Sequence, residues 1–113
     1  MLEAYTSSLE RYMDLLSTRQ KLVASNLANA DTPGYKAQDI DFQFEFTTLL
    51  RGEKPQTVTA QGLPEKPDGN NVNVDREARL LAENALRFNV ASSLLRSQIK
   101  TVRTAIQGGG NGG

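Results

Sequence analysis

The sequence contains no cysteine, no histidine and no tryptophan among its 113 residues. These absences exclude disulfides, thiolate zinc sites, thiol catalysis and acid–base catalysis by histidine. Only 6% of the residues are aromatic and 38% are hydrophobic, so a self-contained core would be thin. The other residue types form no convergent polar cluster, and we therefore expect neither an enzyme nor a bound cofactor or metal ion.

An excess of charge of one sign and long apolar runs are also missing. Lys plus Arg and Asp plus Glu number 13 each, so the net charge is zero. A nucleic-acid binder would carry a basic excess, whereas a neutral chain lacks the self-repulsion that keeps copies apart. No run approaches the about 20 apolar residues that span a bilayer, and the N-terminus lacks the pattern of a cleavable secretory signal. We expect a protein that binds no nucleic acid and no small-molecule substrate, does not span a membrane and packs against protein partners.

Two helical periods dominate the sequence. In residues 1–31, apolar side chains recur at alternating steps of three and four, with Arg19 and Asn26 in two polar slots. Residues 76–107 keep this alternation for four heptads, which is the pattern of a coiled-coil seam, and Asp75 is the expected N-cap. The seam residues predicted to carry assembly are Leu9, Leu16 and Val23 in the first helix and Leu81, Phe88, Leu95, Ile99, Val102 and Ile106 in the second.

The segment that follows the first helix has a period of two over residues 39–46, which favours a half-buried strand. Phe42 and Phe46 also have helical spacing, so a short helix within residues 39–50 is an open alternative. The alternation indicates an interface for the Phe row and a solvated face for the carboxylates. The Phe row is Phe42, Phe44 and Phe46, and the carboxylates are those of Asp39, Asp41 and Glu45.

Residues 32–75 as a whole connect the two helices. Within them, residues 51–73 hold three of the four prolines and are typical of a flexible loop, and residues 108–113 are typical of a flexible tail. The predicted fold is one mostly α unit, in which the long N- and C-terminal helices pair as an antiparallel coiled-coil hairpin joined by an extended, partly irregular middle segment. Two helices cannot enclose a core, so partners would have to complete the burial.

The stretch SNLANADTPGYK, residues 25–36, holds more than a helix end requires. Thr32 precedes a proline and is disfavoured in the helical region, while Pro33 and Gly34 fit the central positions of a type II turn. Asparagine amides can bond the carbonyls left open at a helix end, or the backbone of a neighbouring element. The residues that we expect to fix how the middle segment leaves the helix are Asn26, Asn29, Thr32, Pro33, Gly34 and Tyr35.

This stretch, continued as SNLANADTPGYKAQDIDF, resembles the signature of the axial proteins of the bacterial flagellum, in which N-x-A-N-x-x-T-P-G-Y follows a helix. Together with DGNNVNVDREARLLAENALRF in the C-terminal part, it resembles most closely the proximal-rod family of the basal body. The resemblance covers residues 1–50 and 68–109. It implies a structural subunit that is exported without cleavage by the flagellar type III apparatus and polymerises into a periplasmic tube needed for motility.

The resemblance also implies partners. These are copies of the chain, other flagellar rod subunits, the base of the basal body and the export gate. In related subunits a Phe-x-x-x-apolar piece is thought to engage the export gate, and Phe42, Phe46 and Leu50 have that spacing. Two alternatives stay open, namely another flagellar axial rod subunit and a cytoplasmic helical adaptor that dimerises into a four-helix bundle.

Overall fold

The computed structural model describes residues 2–47 and 55–110. In chain order the elements are α1 (Leu2–Ala28), β1 (Gln38–Ile40), α2 (Phe42–Thr47), β2 (Thr57–Thr59) and α3 (Val74–Gly110). The 27 residues of α1 and the 37 residues of α3 give helices of about 40 Å and about 55 Å. The molecule is correspondingly elongated, with extents of 71 × 26 × 17 Å. The prediction of a mostly helical chain with long terminal helices and an irregular middle is confirmed.

The two long helices pack along one another. Near one end of the pair, the Asn84 side chain donates a hydrogen bond to Oε1 of Gln20 at 3.3 Å. Towards the other end, Glu10 and Val102 line a common groove. The buried apolar side chains lie between the helices and beneath β1, and they are Leu15, Leu16, Val23, Ala37, Ile40, Val72 and Ala91.

The face that α3 turns toward α1 differs from the predicted seam. The buried residues of α3 are Glu77, Asn84 and Ala91, which are spaced by seven. Of the predicted seam residues, Leu81, Phe88, Ile99 and Ile106 are exposed, Leu9, Leu95 and Val102 are half-buried, and Leu16 and Val23 are buried. The single chain therefore buries two of the three α1 residues of the predicted stripe but leaves most of the α3 half uncovered, because Glu77, Asn84 and Ala91 occupy the line that faces α1.

Both alternatives for residues 39–50 occur one after the other, as far as Thr47. β1 pairs antiparallel with β2, with Gln38 opposite Thr59. Asp41 then caps α2, its Oδ1 accepting a hydrogen bond from the Phe44 amide at 3.1 Å. The strand β2 lies in the segment predicted to be a flexible loop, and a strand of three residues is too short to produce a period of two in the sequence.

The ends of the helices also differ from the predicted ones. Asn73, not Asp75, caps α3, because its Oδ1 accepts a hydrogen bond from the Arg76 amide at 3.0 Å. The helix continues past Gly108, where the glycine run predicted its end. Leu50 and residues 111–113 lie outside the described residues. Within the described ranges no helix is both long and apolar enough to cross a membrane.

Candidate assembly junction

The chain reverses direction after α1 through the predicted turn. Gly34 has a φ of +75°, and the Tyr35 amide donates to the Thr32 carbonyl at 3.2 Å. These features are those of the expected Pro-Gly turn, in which glycine supplies the positive φ. Just before the turn, Nδ2 of Asn29 donates to the Ser25 carbonyl at 2.8 Å and its Oδ1 accepts from the Thr32 hydroxyl at 3.0 Å. The end of α1 is therefore closed in part by its own side chains.

Asn26 connects α1 to the strand that follows. Its Nδ2 donates to the carbonyl of Gln38 and its Oδ1 accepts from the amide of the same residue, both at 2.9 Å. The Tyr35 hydroxyl donates to the same Oδ1 at 3.1 Å. Because the side chain is only 1% exposed and uses both ends of its amide, Asn26 acts on β1 as a neighbouring strand would.

Asn70, which lies far along the chain, completes the helix end. Its Nδ2 donates to the carbonyls of Asn29 at 2.9 Å and Thr32 at 2.8 Å, while its Oδ1 accepts from the Val72 amide at 2.8 Å. Lys66 adds a hydrogen bond from Nζ to the Ala30 carbonyl at 2.8 Å. The C-terminal half of the chain thus supplies donors to the carbonyls of the turn that follows α1.

The next residue, Asn71, holds the chain just after the turn. Its amide donates to the Tyr35 carbonyl at 3.2 Å, and its Oδ1 accepts from the Ala37 amide at 2.7 Å. Gly34 donates to the Asp68 carbonyl at 2.9 Å. The two segments run so close together that a Cβ on Gly69 would lie 3.5 Å from the Gly34 Cα. We call residues 25–39 and 66–77, which meet here, the junction.

A network of four charged side chains spans the junction. Arg19 of α1 holds Asp39 with two hydrogen bonds, Nε to Oδ1 at 3.0 Å and Nη2 to Oδ2 at 2.9 Å. Arg76 of α3 donates to the same Oδ2 at 2.9 Å and to Oε1 of Glu77 at 2.7 Å. Asp39 is buried between two guanidinium groups from the two long helices, so its assignment to a solvated face was wrong. Because Asp39 is paired with both arginines, the network ties α1, β1 and α3 into one geometry.

Glu45 is a second carboxylate whose predicted position was wrong. It is buried, and its Oε1 accepts a hydrogen bond from the Gln56 amide at 3.0 Å, which links α2 to the residue before β2. Asp41 is exposed, as predicted. The period of two misled the prediction because β1 ends at Ile40 and the remaining residues follow a helical period.

The aromatic side chains of the middle segment pack on their own α1. The Tyr12 ring contacts Phe42 at a centroid distance of 5.5 Å and Phe46 at 5.8 Å, both edge to face. The Phe44 side chain is 54% exposed, whereas that of Phe46 is 36% exposed. The Phe row therefore divides: two rings stabilise the position of α2, and one faces outward. Tyr35 likewise points back to α1 instead of outward.

Five of the six predicted turn residues form hydrogen bonds at the junction, and Pro33, which has no amide hydrogen, lies exposed between Thr32 and Gly34. Sequence reasoning did not identify the residues that complete the junction, which are Arg19, Asp39, Asn70, Asn71 and Arg76. A signal was present for the first, because Arg19 and Asn26 interrupt an otherwise apolar stripe, and a polar side chain in such a position needs a buried partner. Among the described residues no group of three acidic side chains is placed to hold a metal ion. The arrangement is suited to a mechanical connection.

Comparison with known proteins bears on both halves of the junction. A family model described as flagella basal body rod protein matches residues 13–36, which comprise the second half of α1 and the turn. The flagellar basal body rod protein FlgB of Salmonella typhimurium strain LT2 is 32% identical, and the alignment covers 96% of each chain. FlgB of Escherichia coli K12 is 33% identical with the same coverage, and FlgB of Borrelia hermsii is 27% identical over 86% of this chain and 91% of its own.

Proposed function

The chain belongs to the FlgB family of flagellar basal body rod proteins, and from this premise we infer that it is a structural subunit of the proximal rod. The family is one of structural rod components. The observation that carries the inference is the junction: the segment matched by the family model, residues 13–36, contains the half that Asn70 and Asn71 complete. A rod subunit needs such a connection, because the direction of each helix must be fixed before copies can stack.

The helix pair provides the surface for assembly. We propose that the helices pair antiparallel as a coiled coil in the rod, supported by the neighbouring positions of Gln20 and Asn84 at one end and of Glu10 and Val102 at the other. The α3 stripe that α1 leaves uncovered would then meet other subunits. Its exposed members include Ile99 and Ile106. Burial of such apolar surface stabilises association by about 25 cal/mol per Å² before the costs of ordering.

The partners that we propose are copies of the chain, the other rod subunits and the base of the basal body. The location that follows is the periplasmic rod, reached without a cleavable signal. Mass spectrometry of isolated basal bodies checks the second point, because export without cleavage keeps the peptide MLEAYTSSLER in the assembled protein. Recovery of the protein without this peptide would contradict export of the uncleaved chain.

The export-gate contact remains a proposal for Phe42, Phe46 and Leu50. In the folded chain Phe42 and Phe46 pack on Tyr12, so they would meet the gate only before folding. Phe42→Ala with Phe46→Ala should reduce secretion while the cytoplasmic level of the protein is maintained. Tyr12→Ala is the matched control, because it removes the same packing and leaves both Phe residues. Equal secretion by the double variant and the wild type would count against the gate contact.

A gene deletion tests the function itself. Cells without the protein should lack rods and should not swim, and expression of the wild-type chain should restore both. The decisive measurement is electron microscopy of isolated basal bodies, in which the rod should be missing from its base upward. Complete rods in the deletion strain would contradict the proposed function. A protein that stays in the cytoplasm of the cell, and that forms a discrete, fully helical dimer when purified, would contradict it as well.

A further inference from the structure

Two apolar grooves lie at the same height on opposite flanks of the helix pair. Ala91 faces α1, and at about 100° per residue Val90 and Leu94 lie to one side of it while Phe88 and Leu95 lie to the other. We call the flank with Val90 flank A and the flank with Phe88 flank B. Each groove is completed by side chains of α1.

The groove on flank A has a volume of about 460 Å³. It is lined by apolar side chains that protrude from both helices, including Leu9, Leu86, Val90 and Leu94. The last three are exposed, with Leu86 at 65%. Arg87 is the one charged residue among the described residues that line this groove. Flank A therefore offers an apolar concavity with a basic rim.

The groove on flank B has a volume of about 350 Å³ and the opposite charge. Phe88 and Leu95 of α3 and Met13 of α1 form its apolar part, and Glu10 and Asp14 form its rim. Both carboxylates are exposed. Neither of them, nor Arg87, forms an ion pair with another described residue.

We propose that flank A of one subunit packs against flank B of a second copy lying beside it. This inference rests on the proposed function and names the surfaces that copies use. The two grooves are complementary in polarity and in charge, with Arg87 opposite Glu10 and Asp14. The zero net charge of the chain adds no general repulsion. Because the two flanks differ, the contact is heterologous and can repeat from copy to copy, which suits a rod and not a symmetric dimer.

Cysteine cross-linking in cells tests this arrangement, and because this chain has no cysteine of its own, the introduced thiols are the only ones in the subunit. Val90→Cys places a thiol on flank A and Ser17→Cys places one on flank B, both at exposed positions. A short bismaleimide should convert the double variant into a ladder of multiples of the 12.4 kDa chain in isolated basal bodies. Each single variant should remain monomeric, because neither has both partners of the contact.

Three outcomes would overturn the inference while leaving the proposed function intact. Dimers from Val90→Cys alone would mean that flank A meets flank A. Cross-links of either flank only to a different rod protein would mean that copies do not meet through these flanks. A double variant that stays monomeric in basal bodies of swimming cells would have the same meaning. Absence of the protein from basal bodies would instead contradict the proposed function.

A charge exchange adds a second and milder test. In the double-cysteine background, Arg87→Glu should lower the ladder yield about two- to fivefold, the range expected for an exposed ion pair. Adding Asp14→Arg should restore the yield, because the charges across the contact are complementary again. Arg79→Glu, an exposed position that lines neither groove, should leave the yield unchanged. If Asp14→Arg does not restore the yield, the proposal that Arg87 of one copy lies opposite Asp14 of the next is contradicted.

Discussion

The junction and the far end of the helix pair are built from opposite kinds of side chain. At the junction most of the buried side chains are polar, with Asn70 and Glu77 both 0% exposed. At the far end large apolar side chains are exposed, with Ile106 at 69%. Hydrogen bonds and ion pairs are directional and fix one geometry, whereas apolar burial is non-directional and supplies free energy to whatever covers it. The chain thus uses polar contacts to define its own shape and keeps apolar surface for other molecules.

The largest expected effect comes from breaking the charged network of the junction. Asp39→Asn removes the carboxylate that lies between Arg19 and Arg76 and leaves only Glu77 to pair with Arg76, so we expect a loss of about 3 kcal/mol in the free energy of unfolding. Urea unfolding followed by circular dichroism measures it. Asp31→Asn is the matched control, because Asp31 is exposed and its side chain makes no hydrogen bond to another described residue. Equal losses of unfolding free energy in the two variants would show that the charged network does not stabilise the junction.

Removal of the Asn70 amide that holds the turn after α1 should have the next largest effect. Asn70→Ala removes two hydrogen bonds to the carbonyls of Asn29 and Thr32 and one from the Val72 amide, so we expect a loss of about 2 kcal/mol. Hydrogen exchange of the Val72 amide, which bonds to the same side chain, should quicken as well. Asn89→Ala, at an exposed position of α3, should change neither quantity measurably. An unchanged Val72 amide in Asn70→Ala would contradict the assigned role.

A change at the turn separates stability from function. Gly34→Val forces a β-branched residue into a positive φ and should cost about 1–2 kcal/mol. Gly62 has the same φ of +75° and, like Gly34, has open space where a Cβ would be. Gly62→Val should therefore destabilise the chain equally, yet only Gly34→Val should abolish swimming, because only Gly34 lies in the junction. Normal motility of Gly34→Val would sever the link between turn and assembly.

The smallest effect on the single chain is expected at the far end. Ile106→Ser alters an exposed side chain, so the free energy of unfolding should change by less than about 0.5 kcal/mol. Incorporation into basal bodies, measured by immunoblot after isolation, should nevertheless fall. Gln107→Ser changes the adjacent exposed residue without removing apolar surface. A loss of stability in Ile106→Ser with normal incorporation would show instead that the far end stabilises the single chain and does not serve assembly.

Much of the fold was predictable because its signals are local. The long helices follow from a period maintained over many residues, and the turn follows from Thr32, Pro33 and Gly34 in sequence. These features depend on neighbours within a few positions, so a single chain displays them.

The partners across the junction were not predictable, because they are set by contacts between distant positions. Asp39 has the pattern of a solvated strand residue until Arg19 and Arg76 approach it from positions 20 before and 37 after. Polarity indicates only that a side chain needs a partner, which can be water or protein. The α3 stripe posed the same difficulty, since the sequence shows that it is apolar but not what covers it.

The hydrogen bonds of Asn70 have a consequence for the order in which the chain can mature. This residue lies 41 positions after Asn29 and 38 after Thr32, whose carbonyls it satisfies. A polypeptide that is made from its first residue onward therefore has α1 and the turn long before the amide that closes them exists. Closure of the junction therefore follows the formation of α1 and the turn, and it happens only when the chain extends past Asn70. The connection accordingly distinguishes chains that contain Asn70 from shorter fragments before any of them joins a growing structure.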